Sequence, residues 1–371
     1  MDRRFFLFRL SATIPFLSAL GKFSFGEEAS QIKDKPSGQP GSLSKNILRK
    51  YHGFNLLNYF TVYRKEPFQK EEFALIHELG FNYVRLPMDY RCWTDEKSLY
   101  KVREEDLQEI DKAIEFGKEY GIHVCLNFHR APGWTVAKPE EPMNLWEDEE
   151  TLKLCAYHWK IFAERYKNIP PSQLSFNLLN EPGGISADKH KKVVGKLVET
   201  IRDVDKERPI HCDGRLWGVA PPDELVGLDI IADLHEYQPF MITHYKASWA
   251  GQWDGVPVPD YPYKEGNTMW NKEGIRERII KPWKKLENKG VPIFVGEFGA
   301  FNQTPHKAVM NWLEDVLSIF HEEGWGWAMW NFIGPFGPLN SNRSDVEYEE
   351  WKGYKVDRKM LNLLQKFAKA K

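Results

Sequence analysis

Between residues 53 and 330 the sequence alternates short strand-like runs with amphipathic helical segments, and this alternation constrains the fold more than any other feature. The strand-like runs are Gly53–Phe60, Tyr83–Met88, Ile122–Phe128, Leu174–Leu179, Pro209–Cys212, Ile230–Leu234, Ile293–Val295 and Gly326–Trp330. Helical stripes lie between them. Leu107, Ile110 and Ile114 recur at helical spacing behind the acidic start Glu104, Glu105, Asp106, and the stripe stops at Gly121. Val194, Leu197, Val198 and Ile201 form a second stripe, and Val309, Trp312, Leu313 and Val316 a third. Strands separated by helices pair in parallel through right-handed crossovers. Eight such units predict the α/β architecture of a closed (β/α)8, or TIM, barrel, with a helix after each strand. The rival is an open doubly wound sheet with a glycine-rich phosphate turn after its first strand. Gly53-Phe54-Asn55 offers no GxGxxG there.

The 371 residues fit a single barrel domain with loop insertions, and the 42% hydrophobic content can fill its core. A formal net charge of −2 argues against broad electrostatic capture of nucleic acid or an anionic membrane. The chain opens Met1-Asp2-Arg3-Arg4-Phe5-Phe6-Leu7 and continues into a mostly apolar stretch from Leu10 to Leu20. Ser11, Thr13, Pro15 and Ser18 interrupt that stretch, which is too short to span a membrane. Residues 1–26 therefore read as a signal peptide, with the small residues Ser24 and Gly26 before the expected cleavage point. Arg3-Arg4 also resembles a twin-arginine address, and an ordinary export signal with two chance arginines fits equally well. Residues 27–45 are a polar linker containing Pro36, Gly38, Pro40 and Gly41. The barrel is expected over 46–371 as a secreted or periplasmic monomer with no membrane span in its mature form. The cysteines Cys92, Cys125, Cys155 and Cys212 form no CxxC pair, and no disulfide is expected among them.

In a barrel the chemistry collects at the C-terminal ends of the strands. Unusual polar residues stand there in order: Arg85-Leu86-Pro87, Asn127-Phe128-His129-Arg130, Asn180-Glu181-Pro182, His235-Glu236-Tyr237, Gly296-Glu297-Phe298-Gly299 and Trp330-Asn331-Phe332. Each motif alone is weak, but six in order on six strands are specific. With these residues the sequence resembles glycoside hydrolase family 5, the cellulase family of the retaining-barrel clan, over essentially all of the chain after the linker. The resemblance implies that Glu181 is the acid/base and Glu297 the nucleophile. It also implies that Arg85, His129, Asn180, His235, Tyr237 and Trp330 surround the sugar at the cleavage point.

The chemistry supports those roles. Cleaving a glycosidic bond needs a proton for the leaving oxygen and an electron-rich group at the anomeric carbon, and two carboxyls in different environments supply both. Arg85 and Tyr237 can donate hydrogen bonds to Glu297, and Asn180 can bond a sugar 2-hydroxyl. Gly296 lets the chain approach closely beside Glu297. Strand alternation turns Glu236 away from the barrel axis. Asp89 and Asp213 are expected to bond loop backbone. His129 and His235 lack an obvious third ligand, so neither a metal nor another cofactor is expected.

The resemblance makes a β-linked oligo- or polysaccharide the substrate, with endo-β-1,4-glucanase activity the first expectation. An exo-β-1,3-glucanase or β-glucosidase, and a β-mannanase, are the alternatives. A non-catalytic carbohydrate-binding barrel would typically have lost one carboxylate, and this chain has both. The long loop from Gln238 to Trp270 carries Trp249, Trp253, Tyr261 and Tyr263, and reads as a binding wall or lid. Trp93, Trp134 and Trp217 are further candidates for sugar platforms, with packing at the barrel rim as the alternative for each.

Overall fold

The computed structural model describes residues 45–95 and 97–369. The expected signal peptide and all of the expected linker except Lys45 lie outside them. Eight parallel strands form the barrel: β1 (His52–Asn55), β2 (Tyr83–Asp89), β3 (His123–Ala131), β4 (Leu174–Asn177), β5 (Ile210–Asp213), β6 (Ile231–Glu236), β7 (Ile293–Phe298) and β8 (Gly326–Met329). Each pairs with its neighbours in sequence, β8 pairs with β1, and β2 pairs with β3, so the sheet closes.

The helices follow from the apolar stripes. The outer ring contains α1 (Lys70–Glu78), α2 (Glu104–Tyr120), α3 (Glu149–Tyr166) and α4 (Ala187–Arg202). It continues with α5 (Lys281–Glu287), α6 (His306–Glu323) and α7 (Arg358–Lys369). In α2, Leu107, Ile110 and Ile114 are buried, and Gly121 ends the helix in the left-handed conformation at φ +65°. In α4, Ser186 caps the start by accepting from Lys189 N, and Val194, Leu197, Val198 and Ile201 face the core.

The expectation of a helix after every strand fails once. Between β5 and β6 the described chain forms only the 3-10 turn Asp223–Leu225. Gly214, Gly218, Pro221, Pro222 and Gly227 leave that segment no room for an amphipathic helix. Strand ends also differ from the reading. β1 stops at Asn55 rather than Phe60, because the chain then turns, with Phe60 N donating to Leu57 O. β4 stops at Asn177, so Asn180 and Glu181 lie in the following loop.

The barrel interior has two kinds of layer. Tyr83, Cys125, Ile231, Phe294 and Ala328 fill the lower part with Leu48. Above them Asn55, Arg85, Asn127, Asn177, Asp213 and Asp233 are all buried. Buried polar groups need partners, and several of these bond one another. Arg85 Nε donates to Asn177 Oδ1 at 2.9 Å, Arg85 Nη1 to Asn55 Oδ1 at 2.9 Å, and Asn177 Nδ2 to Asp213 Oδ1 at 2.7 Å. This polar floor carries the site. All four cysteines are free and buried.

Candidate active site

Glu297 reaches the site through a break in the β7 register. Val295 pairs with Leu234, but Glu297, not Gly296, pairs with His235. The extra residue is a β-bulge at Gly296. Strict alternation from Phe294, which faces the interior, would turn Glu297 outward. The bulge puts it on the same side as His235. Glycine suits the bulge, since a Cβ on Gly296 would lie 3.0 Å from both Asp233 Oδ2 and His235 Nε2, which would have to give way.

Both oxygens of the Glu297 carboxyl accept hydrogen bonds. Arg85 Nη1 donates to Oε1 at 2.6 Å and Tyr237 O–H donates to Oε2 at 3.0 Å. Arg85 is fully buried, and the Glu297, Asp213 and Asp233 carboxylates outweigh its desolvation and raise its pKa. Its Nη2 donates to Asn180 Oδ1 at 2.8 Å. The Nδ2 of Asn180 is buried with no partner among the described residues, which leaves a donor for a ligand hydroxyl.

Glu181 follows Asn180 in the left-handed backbone conformation, at φ +48°. Its side chain is 16% exposed, and His235 Nδ1 lies 3.0 Å from its Oε1. Burial raises the Glu181 carboxyl pKa, the bond from His235 opposes this, and the nearby Glu297 charge adds to the rise. One carboxyl oxygen of Glu181 and one of Glu297 lie within 4.8 Å of each other.

His235 is fully buried. Burial favours its neutral form, but the Asp213, Glu297 and Glu181 carboxyls reverse that and raise its pKa to about 9. His129 is the opposite case. Burial, with Arg85 and His235 nearby, holds it well below the ordinary histidine value, so it is a neutral ring. It stacks on Trp330 with centroids 5.3 Å apart and packs against Phe60 at 4.7 Å. Trp330 is half-buried beside it. All eight residues expected at the site therefore lie at the C-terminal end of the barrel, in one contiguous arrangement. As expected, Glu236 is not among them. It is buried, accepts from Gln238 N at 2.8 Å, and has a pKa raised by burial to about 8.

Asp213 is the residue the sequence reading missed. It bonds loop backbone as expected, through Glu181 N at 2.9 Å, but it also lies 3.2 Å from His235 Nε2. An Asp at a strand end carries no motif, so its position on β5 was the only available signal.

The aromatic candidates divide. Trp93 is fully buried against Phe128 and Phe162, with its N–H toward His158, so it is a core residue and no platform. Tyr261 is also buried and donates to Asp315 Oδ2 at 2.7 Å, tying the long loop to α6. Trp253 folds that loop on itself by donating to Ala247 O at 2.8 Å, and Tyr263 packs half-buried against the core. Trp134 and Trp217 are half-buried and flank Gly183, and Trp134 donates to Asn180 O at 2.8 Å. Trp249 is 64% exposed. Its ring centroid lies 6.4 Å from that of Phe336, Phe336 lies 5.9 Å from His244, and His244 lies 5.1 Å from Tyr237, centroid to centroid.

Residues 46–334 match the family model described as cellulase, glycosyl hydrolase family 5. Endoglucanase C of Acetivibrio thermocellus is 28% identical over 331 residues, which span 80% of this chain and 95% of that protein. A crystal structure described as a glycoside hydrolase superposes with a TM-score of 0.81 at 38% identity, covering 85% of this chain and 99% of the other. The endoglucanase Cel5A of Thermotoga maritima shares the fold at a TM-score of 0.71 and 23% identity, covering 86% of this chain and 99% of its own. With the family model covering the barrel from its first strand past its eighth, the chain belongs to glycosyl hydrolase family 5, the cellulase family, and is a glycoside hydrolase.

Proposed function

We propose that this protein is a retaining endo-β-1,4-glucanase in which Glu297 is the nucleophile and Glu181 the acid/base. The observation that carries the reading is the approach of the two carboxyls, within 4.8 Å, in contrasting surroundings. Retaining enzymes hold their carboxyls about 5–5.5 Å apart, and inverting enzymes about 6.5–9.5 Å apart to admit a water. Glu297 is bound by a guanidinium and a phenol, as suits a carboxylate that must attack. Glu181 has its pKa raised by burial, as suits a group that must hold a proton.

The reaction then runs in two steps. The Glu297 carboxylate bonds to the anomeric carbon, the bond to the leaving oxygen breaks, and that oxygen takes the Glu181 proton. Water next attacks the same carbon, gives its proton to the Glu181 carboxylate, and releases Glu297. Asn180 Nδ2 is free to bond the 2-hydroxyl, His129 offers neutral ring nitrogens to other hydroxyls, and Trp330 packs under the sugar.

The similarity to Endoglucanase C supports a β-1,4-glucan and internal cleavage. The exposed Trp249, joined to Tyr237 through two further rings, supports a binding surface longer than one sugar. The test is hydrolysis of cellulose oligomers, β-1,3-glucan, mannan and aryl β-glycosides with product sizes recorded. Internal cuts in the β-1,4-glucan are expected. Single sugars released from chain ends, or preference for β-1,3-glucan or mannan, would refute the reading. The basic start and apolar stretch further support export. Mass spectrometry of protein from its native cells should find an N-terminus well after Met1, and an intact Met1 on cytoplasmic protein would refute that.

A further inference from the structure

Asp213 sits at the end of β5 with its side chain completely enclosed. Its Oδ1 accepts from Asn177 Nδ2 at 2.7 Å. Its Oδ2 accepts from Glu181 N at 2.9 Å, lies 3.2 Å from His235 Nε2, and lies 3.8 Å from Arg85 Nη2. The same oxygen thus meets the backbone of one site residue and the ring of another. We propose that Asp213 is the positioning residue of the acid/base: it fixes the Glu181 backbone and holds the His235 ring as an imidazolium that donates to the Glu181 carboxyl. The proposal rests on the acid/base role of Glu181 given above.

Two features of the geometry support it. The first is the state of the ring. Nδ1 of His235 faces Glu181 Oε1 at 3.0 Å and Nε2 faces Asp213 Oδ2 at 3.2 Å. Once Glu181 is a carboxylate, a neutral imidazole, with one N–H and one lone pair, would set that lone pair against a carboxylate. Only the imidazolium lets Nδ1 donate to a Glu181 carboxylate while the positive ring stands at ion-pair distance from Asp213 Oδ2. The charged groups around the ring agree. Asp213 on β5, Glu297 on β7 and Glu181 after β4 favour the proton, and Asp233 on the ring's own strand lines the same spot. Arg85 on β2 and the neutral His129 on β3 also face this region. Desolvation opposes charging, yet the balance raises the ring pKa to about 9. Gly218 holds the ring from behind, since a Cβ there would sit 2.5 Å from His235 Cβ.

The second feature is the backbone. Glu181 is a non-glycine residue at φ +48°, a conformation that persists only where its surroundings hold it. The bond from its N–H to Asp213 provides that hold. The loop after β5 reinforces it, with Trp217 N donating to Pro182 O at 3.0 Å and Leu216 N to Gly183 O at 3.3 Å.

The consequence lies in the second half of the reaction, where Glu181 must be a carboxylate to take a proton from water. An imidazolium beside it stabilises that charge. Removing the Asp213 charge lets the ring lose its proton at lower pH, which leaves less of Glu181 in the carboxylate form that accepts the proton from water.

The test is Asp213→Asn, read by nitrogen-15 NMR of labelled histidine, with the His235 signal assigned by its loss in His235→Asn. In wild-type protein both ring nitrogens should carry protons at pH 7, with a midpoint near 9. In Asp213→Asn the midpoint should fall by about 1–3 pH units. Asp213→Glu, which keeps the charge, should fall less. With an activated aryl glycoside, Asp213→Asn should keep its burst of aryl release and lose steady-state turnover, with KM falling alongside kcat because the glycosyl-enzyme accumulates. A residue that only supports the fold would lower thermal stability and leave the ring midpoint in place, and that result overturns the proposal. Should Asp213→Asn fail to fold, the wild-type titration decides, because a neutral ring at pH 7 overturns the proposal and an imidazolium supports it. The ring titration needs no substrate, so it stands apart from the choice of glucan. Wild-type protein that cleaves no β-glycoside refutes the function, whatever the state of His235.

Discussion

Arg85 on β2 and Glu297 on β7 meet across the barrel at 2.6 Å, both of them buried. The guanidinium uses its whole fork, since its other N–H groups reach Asn55, Asn177 and Asn180. Lysine carries a compact charge and cannot reproduce that planar set of donors. Arg85→Lys should therefore lose at least one charge-assisted bond, worth about 1.5–3 kcal/mol. That corresponds to a fall in kcat of about one to two orders of magnitude. Initial rates on a β-1,4-linked oligosaccharide measure it, and a variant with wild-type kcat would show that the pair does not set the reactivity of Glu297.

Stability should decline toward alkaline pH for two reasons of the same sign. Glu236 is buried with its pKa raised from 4.5 to about 8, so the folded state holds a proton that the unfolded state releases between those values. Stability is full below about pH 4.5 and is lost as pH rises to 8. His235 has its pKa raised from 6.5 to about 9, and its contribution is present below 6.5 and lost as pH rises through 9. Glu236→Gln keeps the acceptor for Gln238 N and removes the titration. The drop in unfolding free energy between pH 5 and pH 9 should shrink by on the order of 4 kcal/mol. Denaturant melts of both proteins at the two pH values measure it, and equal drops would mean that Glu236 is charged in the fold.

The barrel was legible because its strands and helices announce themselves by period, and the site because polar residues interrupt apolar strands at one end. What escaped the sequence depends on three-dimensional neighbours. A lone glycine inside a strand is a recognised sign of a bulge. Only the register with β6 shows that Gly296 swings Glu297 to the inner face. Asp213 looks like any loop-bonding aspartate until His235, distant in sequence, is folded over it. Trp93 and Tyr261 follow strands just as Trp134 and Trp249 do, yet they are buried, because exposure at a barrel rim is decided by which loop lies above each ring. The rhythm of the fold predicts a helix after β5, whereas the prolines and glycines of that segment argue locally against one.

Trp249 should serve long substrates and not short ones. Its ring is 64% exposed, so Trp249→Ala should leave thermal stability nearly unchanged. A sugar–aromatic contact of about 0.5–1.5 kcal/mol predicts a KM for a β-1,4-glucan polymer about 2–12-fold higher. An aryl β-glycoside with a single sugar should be cleaved as before. Equal effects on both substrates would place Trp249 at the reacting sugar, and no effect on either would leave it outside the binding surface.

The roles of the two glutamates can be separated by the leaving group. Within 4.8 Å of each other, the carboxyls leave no room for water to attack from the Glu297 side, so in the proposed mechanism Glu297 itself bonds to the anomeric carbon whatever departs. Glu181 is needed in that step only when the departing oxygen holds its charge poorly. General acid catalysis is worth roughly 10²–10⁴ in rate, or about 3–5 kcal/mol, and an activated aryl group leaves without it. Glu181→Gln should nearly abolish cleavage of a natural oligosaccharide yet keep a burst of aryl release from an activated glycoside. Slow turnover should follow, because no base remains to activate water. Glu297→Gln should be inactive on both substrates. Stopped-flow measurement of aryl release separates the cases. A burst in Glu297→Gln and none in Glu181→Gln would exchange the two roles, and full activity of both variants on the oligosaccharide would place the chemistry elsewhere in the barrel.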